Sequence, residues 1–391
     1  MRAAKVAIIT THPIQYQVPW FQKLAEQVEL TVYYALLPDA EQQGVGFGVA
    51  FKWDIPMLEG YEWRVIPNKR TSPSLRGFFA SSTPAIYSLL SETNPDVVII
   101  TGWHALPLLQ ALWACIRLGI PRIVRGESNG LRKRAYRTRV LHRLLLSWFE
   151  AFLAIGQANR DFYLQYGINP ERIFVGNYFI DNHRFREQLR QIPDVQLAIR
   201  SGWGIPEEAV CFVYVGKLEP KKRIMDLLRA VDRAHRINSS IHLLVVGDGE
   251  LMTEARQMVA GLGLPVTFAG FLNQREITRA YMAADCLVLP SDFGETWGLV
   301  VNEAMACGLP ALVSDQVGCG TDLVKEGRTG MVFRCGDIDA LTGKLLELSS
   351  DPARLARMGA QASEHISQYS VEQAVAGTVS AIDFVLQRES Q

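Results

Sequence analysis

Short apolar runs alternate along the whole chain with stretches that carry apolar residues at helical spacing. Runs that are apolar at successive positions are typical of strands buried on both faces of a parallel sheet. In the first half we predict strands at Val6–Ile9, Leu30–Tyr34, Val97–Ile100, Arg122–Arg125 and Phe152–Ile155. In the second half we predict strands at Phe212–Val215, His242–Val246, Pro265–Phe268, Cys286–Leu289 and Ala311–Ser314. The alternation predicts an α/β fold.

The length of 391 residues exceeds what one ordinary hydrophobic core accommodates, so we expect two domains. The polar stretch from Arg186 to Gly204 has no strand pattern and predicts the connection. We therefore predict a Rossmann-like N-terminal domain over residues 1–185 and a Rossmann-like C-terminal domain over residues 186–370. The apolar-periodic stretch from Val371 to Leu386 predicts a final helix within residues 371–391.

The overall composition, 48% hydrophobic and 20% charged with zero net charge, is ordinary for a soluble globular protein. The charge is unevenly divided, however. Residues 1–190 hold 22 Lys and Arg against 15 Asp and Glu, a balance of +7, and the remainder is at −7. The asymmetry indicates that the N-terminal half meets an anionic partner, such as a membrane surface or a phosphorylated acceptor. We expect no nucleic-acid partner.

The six cysteines form no C-x-x-C pair, so the sequence predicts neither a disulfide framework nor a zinc site. The apolar stretch within residues 1–9 is too short for a signal peptide, and its pattern is that of a strand. No apolar run approaches the roughly 20 residues of a membrane span. We expect a cytoplasmic protein, with peripheral attachment at the inner face of the membrane as an open alternative.

The segment from Glu295 to Glu303 places two carboxylates eight positions apart, across a small-residue turn that enters an apolar helix. It follows the strand Cys286–Leu289 and ends before Gly308 and Pro310, which stop a helix. A turn before a helix leaves backbone N–H groups that can bind an anion. We interpret the segment as an anion site between two hydroxyl-binding carboxylates, as a sugar nucleotide requires. The alternative is a capped surface helix with two solvated glutamates.

A cationic loop follows the strand at Phe212–Val215 and leads into another helical pattern. Lys221, Lys222 and Arg223 stand where that helix begins, where cations oppose the helix dipole unless an anion is present. Lys217 and Lys222 flank the turn, and both can reach a diphosphate at its mouth. A solvated basic loop is the alternative.

Together these two segments resemble the retaining GT-B-fold glycosyltransferases of family 4, which have a Glu-x7-Glu signature. Gly216, Lys217, Leu218, Pro220 and Lys222 match the family's loop, with a Lys replacing its usual Arg. The resemblance implies two Rossmann-like domains facing a central cleft, with the final helix crossing back onto the N-terminal domain.

The resemblance also implies roles for single residues in nucleotide-sugar binding. Glu295 would contact hydroxyls of the donor sugar, and Glu303 would contact the ribose. Lys217 and Lys222 would hold the diphosphate with Gly216 and with backbone N–H groups of the turn over Thr296, Trp297, Gly298, Leu299 and Val300. Further matching pieces contain Gly249 and Phe271.

The run from Val245 to Met252 begins like a dinucleotide-binding fingerprint, but Met252 occupies the position of the third glycine. Without that glycine the helix cannot pack closely on the strand. We therefore interpret this run as a turn that lines the nucleotide pocket.

The N-terminal half holds candidates for acceptor binding at the carboxyl ends of predicted strands, which face the ligand crevice in open parallel sheets. His12 and Gln15 lie where many family members have a glycine-rich loop, and a capped turn is the alternative. His104 matches a family histidine that contacts the donor sugar or the acceptor, and a helix-capping histidine is the alternative. Glu127 would contact the acceptor hydroxyl and Arg125 a charged group, with a buried Arg–Glu pair as the alternative.

Residues Leu131 to Phe152 form a basic amphipathic pattern compatible with docking on anionic lipid. Its cations, which we expect to lie together on the exposed side, are Arg132, Lys133, Arg134, Arg137, Arg139 and Arg143. The aromatic loop around Phe78 and Phe79 could add an apolar contact. A core-facing helix with a solvated basic face is the alternative.

The sequence thus predicts a retaining glycosyltransferase that moves a sugar from a UDP- or GDP-sugar to an alcohol acceptor on a glycan, a lipid-linked molecule or a small molecule. Glu295, Lys217, Lys222 and His104 are the predicted catalytic residues. No Asp-x-Asp pair stands near the pocket motifs, so we expect no metal and no cofactor. A sugar-nucleotide epimerase and a non-catalytic nucleotide-sugar-binding protein are the alternatives. The Glu-x7-Glu run disfavours the first, and intact Glu295, Lys217 and Lys222 disfavour the second.

Overall fold

A computed structural model describes residues 3–132, 134–192 and 196–389 of the chain. They divide into two compact units, each with its own parallel sheet. The N-terminal unit comprises Met1–Gln43, Pro56–Phe179 and Ser370–Gln391. The C-terminal unit comprises Gly44–Ile55 and Ile180–Tyr369. The α/β class with two Rossmann-like sheets is therefore confirmed.

The sheet of the N-terminal unit has the strand order β3-β2-β1-β4-β5-β6-β7, with parallel pairing throughout its described residues. Its strands are β1 (Lys5–Thr10), β2 (Glu29–Tyr34), β3 (Glu62–Val65), β4 (Val97–Ile100), β5 (Arg122–Val124), β6 (Ala151–Ala154) and β7 (Ile173–Val175). The central strands are buried on both faces, which is why their sequences are mostly apolar.

Helices cover both faces of this sheet, and each face has its own apolar cluster. The helices up to the unit boundary are α1 (Val18–Ala25), α2 (Ala40–Gly44), α3 (Ile86–Thr93), α4 (Leu106–Leu118), α5 (Tyr136–Leu146) and α6 (Gln157–Gln165). The last helix of the chain, α16 (Val371–Glu389), also belongs to this unit and buries Val375 and Ile382 against the strands. The indole of Trp20 on α1 donates a hydrogen bond to the Thr378 hydroxyl on α16, 3.1 Å away.

The sheet of the C-terminal unit has the order β10-β9-β8-β11-β12-β13, again with parallel pairing in its described residues. Its strands are β8 (Val210–Val215), β9 (Ile241–Val246), β10 (Val266–Gly270), β11 (Cys286–Leu289), β12 (Ala311–Ser314) and β13 (Gly330–Phe333). Its helices are α7 (Asn182–Gln191), α8 (Gln196–Gly202), α9 (Ile224–His235), α10 (Met252–Leu262), α11 (Ile277–Ala283), α12 (Leu299–Ala306), α13 (Gly320–Leu323), α14 (Ile338–Ser349) and α15 (Pro352–Ile366).

Three strands have no counterpart among the sequence predictions. β3 is exposed at every position, and β7 has only three residues, so neither forms a buried apolar run. β13, the third strand that was not predicted, lies at the edge of its sheet. Two further differences concern the domain division. The segment predicted as a connection carries α7 and α8, and residues 44–55 pack with the C-terminal unit although the sequence division placed them in the first domain.

The contact between α16 and β7 generates a stability prediction. A Cβ built on Gly377 would lie 1.6 Å from the Val175 carbonyl oxygen, so even alanine requires the helix to move. We expect Gly377→Ala to destabilise the N-terminal unit by about 1–3 kcal/mol, the usual cost of overpacking, and to lower the melting temperature. Differential scanning calorimetry measures this shift.

Gly343 in α14 is the matched control, since a Cβ there would have no described heavy atom within 4 Å apart from its chain neighbours and its own helix backbone. There the same substitution should raise stability by up to about 1 kcal/mol through helix propensity. A melting temperature unchanged by Gly377→Ala would show that α16 does not pack this closely on β7.

Candidate functional site

The strand order of the C-terminal sheet identifies the edge where a ligand binds. The chain first builds β8, β9 and β10 in one direction and then returns to place β11 on the other side of β8. In open parallel sheets the ligand crevice lies at the carboxyl ends of the strands, at such a switch point. The loops that follow Val215 and Leu289 flank this position. They contain the cationic loop and the Glu-x7-Glu segment.

Main-chain contacts hold the loops after β8 and β9 together. The Leu218 N–H donates a hydrogen bond to the Asp248 carbonyl oxygen at 2.9 Å. A Cβ on Gly247 would lie 2.0 Å from the Gly216 carbonyl oxygen, and a Cβ on Gly249 would lie 2.7 Å from the Leu218 nitrogen. Both glycines also have positive φ angles, 127° and 155°. The glycines after β9 therefore serve close packing against the cationic loop.

Two of the predicted catalytic residues are in direct contact. The Lys222 ammonium forms an ion pair with Oε2 of Glu295, and both side chains are largely buried, at 15% and 14% exposure. The Ser291 hydroxyl, two residues after the end of β11, also donates to Oε2 at 3.3 Å. The pair joins the loop after β8 to the loop after β11, so a cation and a carboxylate lie at the switch point.

The two cations adjacent to Lys222 in the chain, Lys221 and Arg223, have local partners. Arg223 forms an ion pair with Asp226 in the first turn of α9. Lys221 is half-exposed and lies 3.2 Å from Glu219. An acidic residue in a first helical turn is favourable, so Asp226 offsets part of the cost of cations there.

Lys217 is held by a segment that the sequence analysis did not connect with it. We call Gly44–Ile55 the strap. The Lys217 ammonium donates a hydrogen bond to the Val45 carbonyl oxygen at 3.2 Å and lies 4.2 Å from the centre of the Phe47 ring. Phe271, a predicted nucleotide-sugar-binding residue, packs against Phe51 of the strap with ring centres 4.4 Å apart. The strap thus lies against two of the predicted binding residues.

The first turn of α12 has the properties of an anion site. Its N-cap is Gly298, which has a φ of 101° and no side chain to cap the first N–H groups. Hydrogen bonds from the Gly318 and Cys319 N–H groups to the carbonyl oxygens of Glu295 and Trp297, at 3.2 and 2.9 Å, hold the turn that precedes it. Unsatisfied N–H groups and the helix dipole both favour a bound anion at this end.

The side chains around this turn are mostly internal. The Trp297 side chain is buried, and its indole donates a hydrogen bond to the Asn302 side-chain oxygen at 2.9 Å. The Glu303 residue is 1% exposed, and its carboxylate accepts a hydrogen bond of 2.6 Å from the Tyr281 hydroxyl. Tyr281 on α11 had no signal in the sequence beyond an apolar helical position. It fixes the carboxylate that is predicted to bind ribose.

In the N-terminal unit, two of the predicted residues meet at the corresponding edge. A cavity of about 290 Å³ lies at the carboxyl ends of β1 and β4, the switch point of the first sheet, and His12 and His104 both line it. The His12 Nδ1 atom is 2.9 Å from the Thr11 hydroxyl, with which it forms a hydrogen bond. Gln15 is half-buried in the turn before α1 and is not among the described lining residues.

Arg125 and Glu127 are tied to aromatic residues of the same unit. Arg125 is 3% exposed, and its guanidinium lies over the rings of Tyr178 and Trp20, with ring centres 4.6 and 5.1 Å away. The Tyr178 hydroxyl donates a hydrogen bond to the Glu127 carboxylate. Burial, with the nearby Glu127 charge, raises the pKa of Tyr178 well above its ordinary value. The Arg125 side chain is thus part of a buried aromatic cluster.

The basic amphipathic stretch folds as α5 over Tyr136–Leu146, shorter than the predicted Leu131 to Phe152. Arg132, Arg137, Arg139 and Arg143 are exposed and Arg134 is half-buried, while Lys133 lies outside the described residues. Large apolar side chains of α5 are exposed as well, namely Tyr136 (78%), Val140 (51%), Leu141 (62%) and Leu144 (60%). A cavity of about 460 Å³ beside this helix is lined by Gly130, Arg132, Arg134, Arg139, Gln165 and Tyr166.

The described parts of the chain contain no group of three or more His, Cys, Asp or Glu placed to hold a metal ion. Among the helices of those same parts, none has the length and apolar character needed to cross a membrane.

Comparison with known proteins defines the class. The family described as "Glycosyltransferase Family 4" matches residues 22–184 of this chain, and the family described as "Glycosyl transferases group 1" matches residues 195–365. Solved structures of GT-B glycosyltransferases share the fold over nearly the whole chain. The chain belongs to glycosyltransferase family 4, as the motifs around Lys217 and Glu295 predicted.

The individual relatives share at most about a third of the aligned residues with this chain. A D-inositol 3-phosphate glycosyltransferase of Streptomyces bingchenggensis is 31% identical over 224 residues, which is 54% of this chain and 48% of the relative. The chain thus aligns with about half the length of such relatives. The Anabaena protein Alr3699/HepE in complex with UDP-glucose is 18% identical, with a TM-score of 0.73 over 97% of this chain and 100% of that one. Sucrose-phosphate synthase from Thermosynechococcus elongatus is 17% identical, with a TM-score of 0.70 over 96% and 97%.

The Tyr281–Glu303 contact generates a prediction. We expect Tyr281→Phe to destabilise the C-terminal unit by about 1–3 kcal/mol, because it removes a hydrogen bond from the buried carboxyl group of Glu303. Urea unfolding followed by fluorescence measures the change. Tyr34→Phe is the matched control: its buried hydroxyl lies 2.7 Å from the neutral Tyr61 hydroxyl, so its loss should cost only about 0.5–1.5 kcal/mol. A smaller loss for Tyr281→Phe than for Tyr34→Phe would contradict the role of Tyr281 in holding Glu303.

Proposed function

We propose that this protein is a retaining glycosyltransferase that moves a sugar from a nucleoside diphosphate to an alcohol acceptor. The observation that carries the proposal is the convergence of Lys217, Lys222 and the α12 N-terminus at the switch point of the C-terminal sheet. Two ammonium groups and an uncapped helix start stabilise negative charge, and a diphosphate leaving group develops such charge. Electrostatic stabilisation of this kind is usually the largest catalytic term.

In the proposed reaction the bond between the anomeric carbon and the diphosphate oxygen breaks, and a bond from that carbon to the acceptor oxygen forms on the same face. The acceptor hydroxyl loses its proton to the departing phosphate oxygen, so the protein supplies no nucleophile. Glu295 contacts the hydroxyls of the transferred sugar, and its Oε2 also accepts from Ser291 and Lys222. Orientation by such contacts contributes alongside the charge term.

The donor is proposed to be a UDP- or GDP-sugar. Support comes from the Anabaena neighbour, whose structures contain UDP and UDP-glucose. Glu303, held by Tyr281, is proposed to bind the ribose hydroxyls, since carboxylates accept from paired hydroxyls. We also propose that the reaction uses no metal and no cofactor, because two lysines supply the positive charge that a divalent cation provides elsewhere.

Lys222 is the residue whose loss should affect turnover most. We expect Lys222→Gln to lower kcat about 100- to 1,000-fold, in proportion to the roughly 2.7–4 kcal/mol that one donor to a developing anion contributes. Glutamine keeps a hydrogen-bond donor toward Glu295, so the partly buried carboxylate is not left without a polar neighbour. Release of nucleoside diphosphate from a panel of UDP- and GDP-sugars, with and without EDTA, measures the change.

Lys221→Gln is the matched control, since Lys221 is the adjacent cation in the same loop and is paired with Glu219. It should retain wild-type kcat within about twofold. Near-normal turnover of Lys222→Gln would show that Lys222 does not contribute to catalysis. Conversion of a donor sugar to its epimer without any acceptor would favour an epimerase, and an inverted anomeric centre in the product would exclude retention.

We further propose that the acceptor is presented at an anionic membrane surface that α5 contacts. Exposed apolar residues and exposed arginines occur together on α5, which is the composition of an interfacial helix. The cavity beside it is lined by three arginines, which complement the phosphates of anionic lipid. The anionic lipid surface is therefore the partner that this face fits.

Vesicle sedimentation at low salt tests the membrane proposal. We expect binding to phosphatidylglycerol vesicles but not to phosphatidylcholine vesicles, with loss at high salt because exposed charges are screened. Arg137→Gln with Arg143→Gln should weaken binding roughly 30-fold, at about 1 kcal/mol for each charge. Leu141→Ser should also weaken it. Leu197→Ser, at a 47% exposed leucine of the C-terminal unit, should not. Failure to bind anionic vesicles at low salt would overturn the proposal.

A further inference from the structure

The strap contacts the loops at the carboxyl ends of β8 and β10 in the C-terminal sheet. It meets Lys217 after β8 and Phe271 after β10, and the Asn273 side chain donates a hydrogen bond of 2.8 Å to the Lys52 carbonyl oxygen. At its far end, Asp54 accepts a hydrogen bond of 3.1 Å from the Arg275 N–H. The strap is therefore attached along the edge that the proposed function assigns to the nucleotide sugar.

Aromatic packing fixes the shape of the strap. The rings of Phe47, Phe51 and Trp53 contact one another with centres 4.8 to 6.4 Å apart, and both phenylalanines also contact Phe271. Aromatic pairs at these separations add specific attraction to the burial of their area. This packing places the face of the Phe47 ring beside the Lys217 ammonium.

The strap backbone between Val45 and Phe47, which both contact Lys217, also allows the strap to lie close to the ammonium. Gly46 lies between Val45 and Phe47 and has a φ of 84°, and a Cβ there would lie 3.0 Å from the Lys217 Nζ atom. Glycine thus allows the strap to approach the ammonium from its main-chain side. A free lysine side chain loses considerable rotamer freedom when it binds an anion. Contact with the Val45 carbonyl and the Phe47 ring removes part of that freedom before the anion arrives.

We propose that the strap is a positioning element of the donor site, in which Val45 and Phe47 hold Lys217 where it meets the diphosphate. This inference rests on the proposed function, because Lys217 must bind the diphosphate for its orientation to matter. Phe47 acts only through Lys217. Its effect on nucleotide affinity therefore disappears when Lys217 is absent.

A double-mutant cycle on nucleoside diphosphate affinity tests this dependence in the full chain. Isothermal titration of UDP and GDP gives Kd for the wild type, Phe47→Leu, Lys217→Ala and the double variant. Phe47→Leu should raise Kd roughly fivefold, the size of one cation–π contact, and should change it less than twofold in the Lys217→Ala background. Phe47→Tyr keeps the ring and should keep the wild-type Kd.

Phe51→Leu is the matched control, because it removes a ring of the same strap that contacts Phe271 and Phe47. It should change Kd less than Phe47→Leu does. Gly46→Ala keeps all rings of the strap but crowds the ammonium and strains the backbone at a φ of 84°, and it should raise Kd even if Phe47→Leu proves unstable.

The outcomes separate the two proposals. A Phe47→Leu effect of the same size in both backgrounds would overturn the positioning role and leave the proposed function intact. A Kd unchanged by Lys217→Ala would remove Lys217 from the diphosphate site, and the positioning role would fall with it. No binding of UDP or GDP by the wild type would overturn the proposed nucleotide donor itself.

Discussion

The candidate donor site depends on one topological constraint, the return of the chain from β10 to the far side of β8. Because all strands of the sheet are parallel, β8 and β11 end side by side, and the loops that follow them leave toward the same edge. The sheet itself thus brings Lys222 and Glu295, 73 positions apart in the chain, into contact. The same constraint in the first sheet brings His12 and His104 to one cavity.

Charge compensation explains how a cationic loop is tolerated at this edge. Glu219, Asp226 and Glu295 each pair with a cation of the loop. Partly buried ions are costly unless they are paired, and breaking such a pair leaves an uncompensated charge. The ion pair of Lys222 with Glu295 therefore both stabilises this edge and keeps a positive charge at the switch point. An anion that binds there meets lysines that are already oriented.

The sequence predicted the parts of the structure that follow from local pattern. β4, β11 and β12 begin and end at the predicted residues because they are buried and, apart from Ser314, apolar. β3 could not be predicted in this way, since an exposed edge strand has no apolar run. The cationic loop and the Glu-x7-Glu turn could be predicted because several candidate site residues are close in sequence. The strap was missed because its contact with Lys217 spans 172 positions, and no local pattern records such a contact. Arg125 was predicted from its place after a strand, which does not reveal the aromatic rings that enclose it.

The central claim is that the edge formed by Lys217, Lys222 and the start of α12 binds the diphosphate of a nucleotide donor. Isothermal titration of a nucleoside diphosphate and of the corresponding nucleoside, under the same conditions, tests this claim most directly. The two ligands share the base and the ribose and differ in the charged groups that this edge would bind. We expect the diphosphate to bind at least about 100-fold more tightly, because two hydrogen bonds to charged groups contribute about 1.5–3 kcal/mol each. Equal affinity for the nucleoside and its diphosphate would contradict the account.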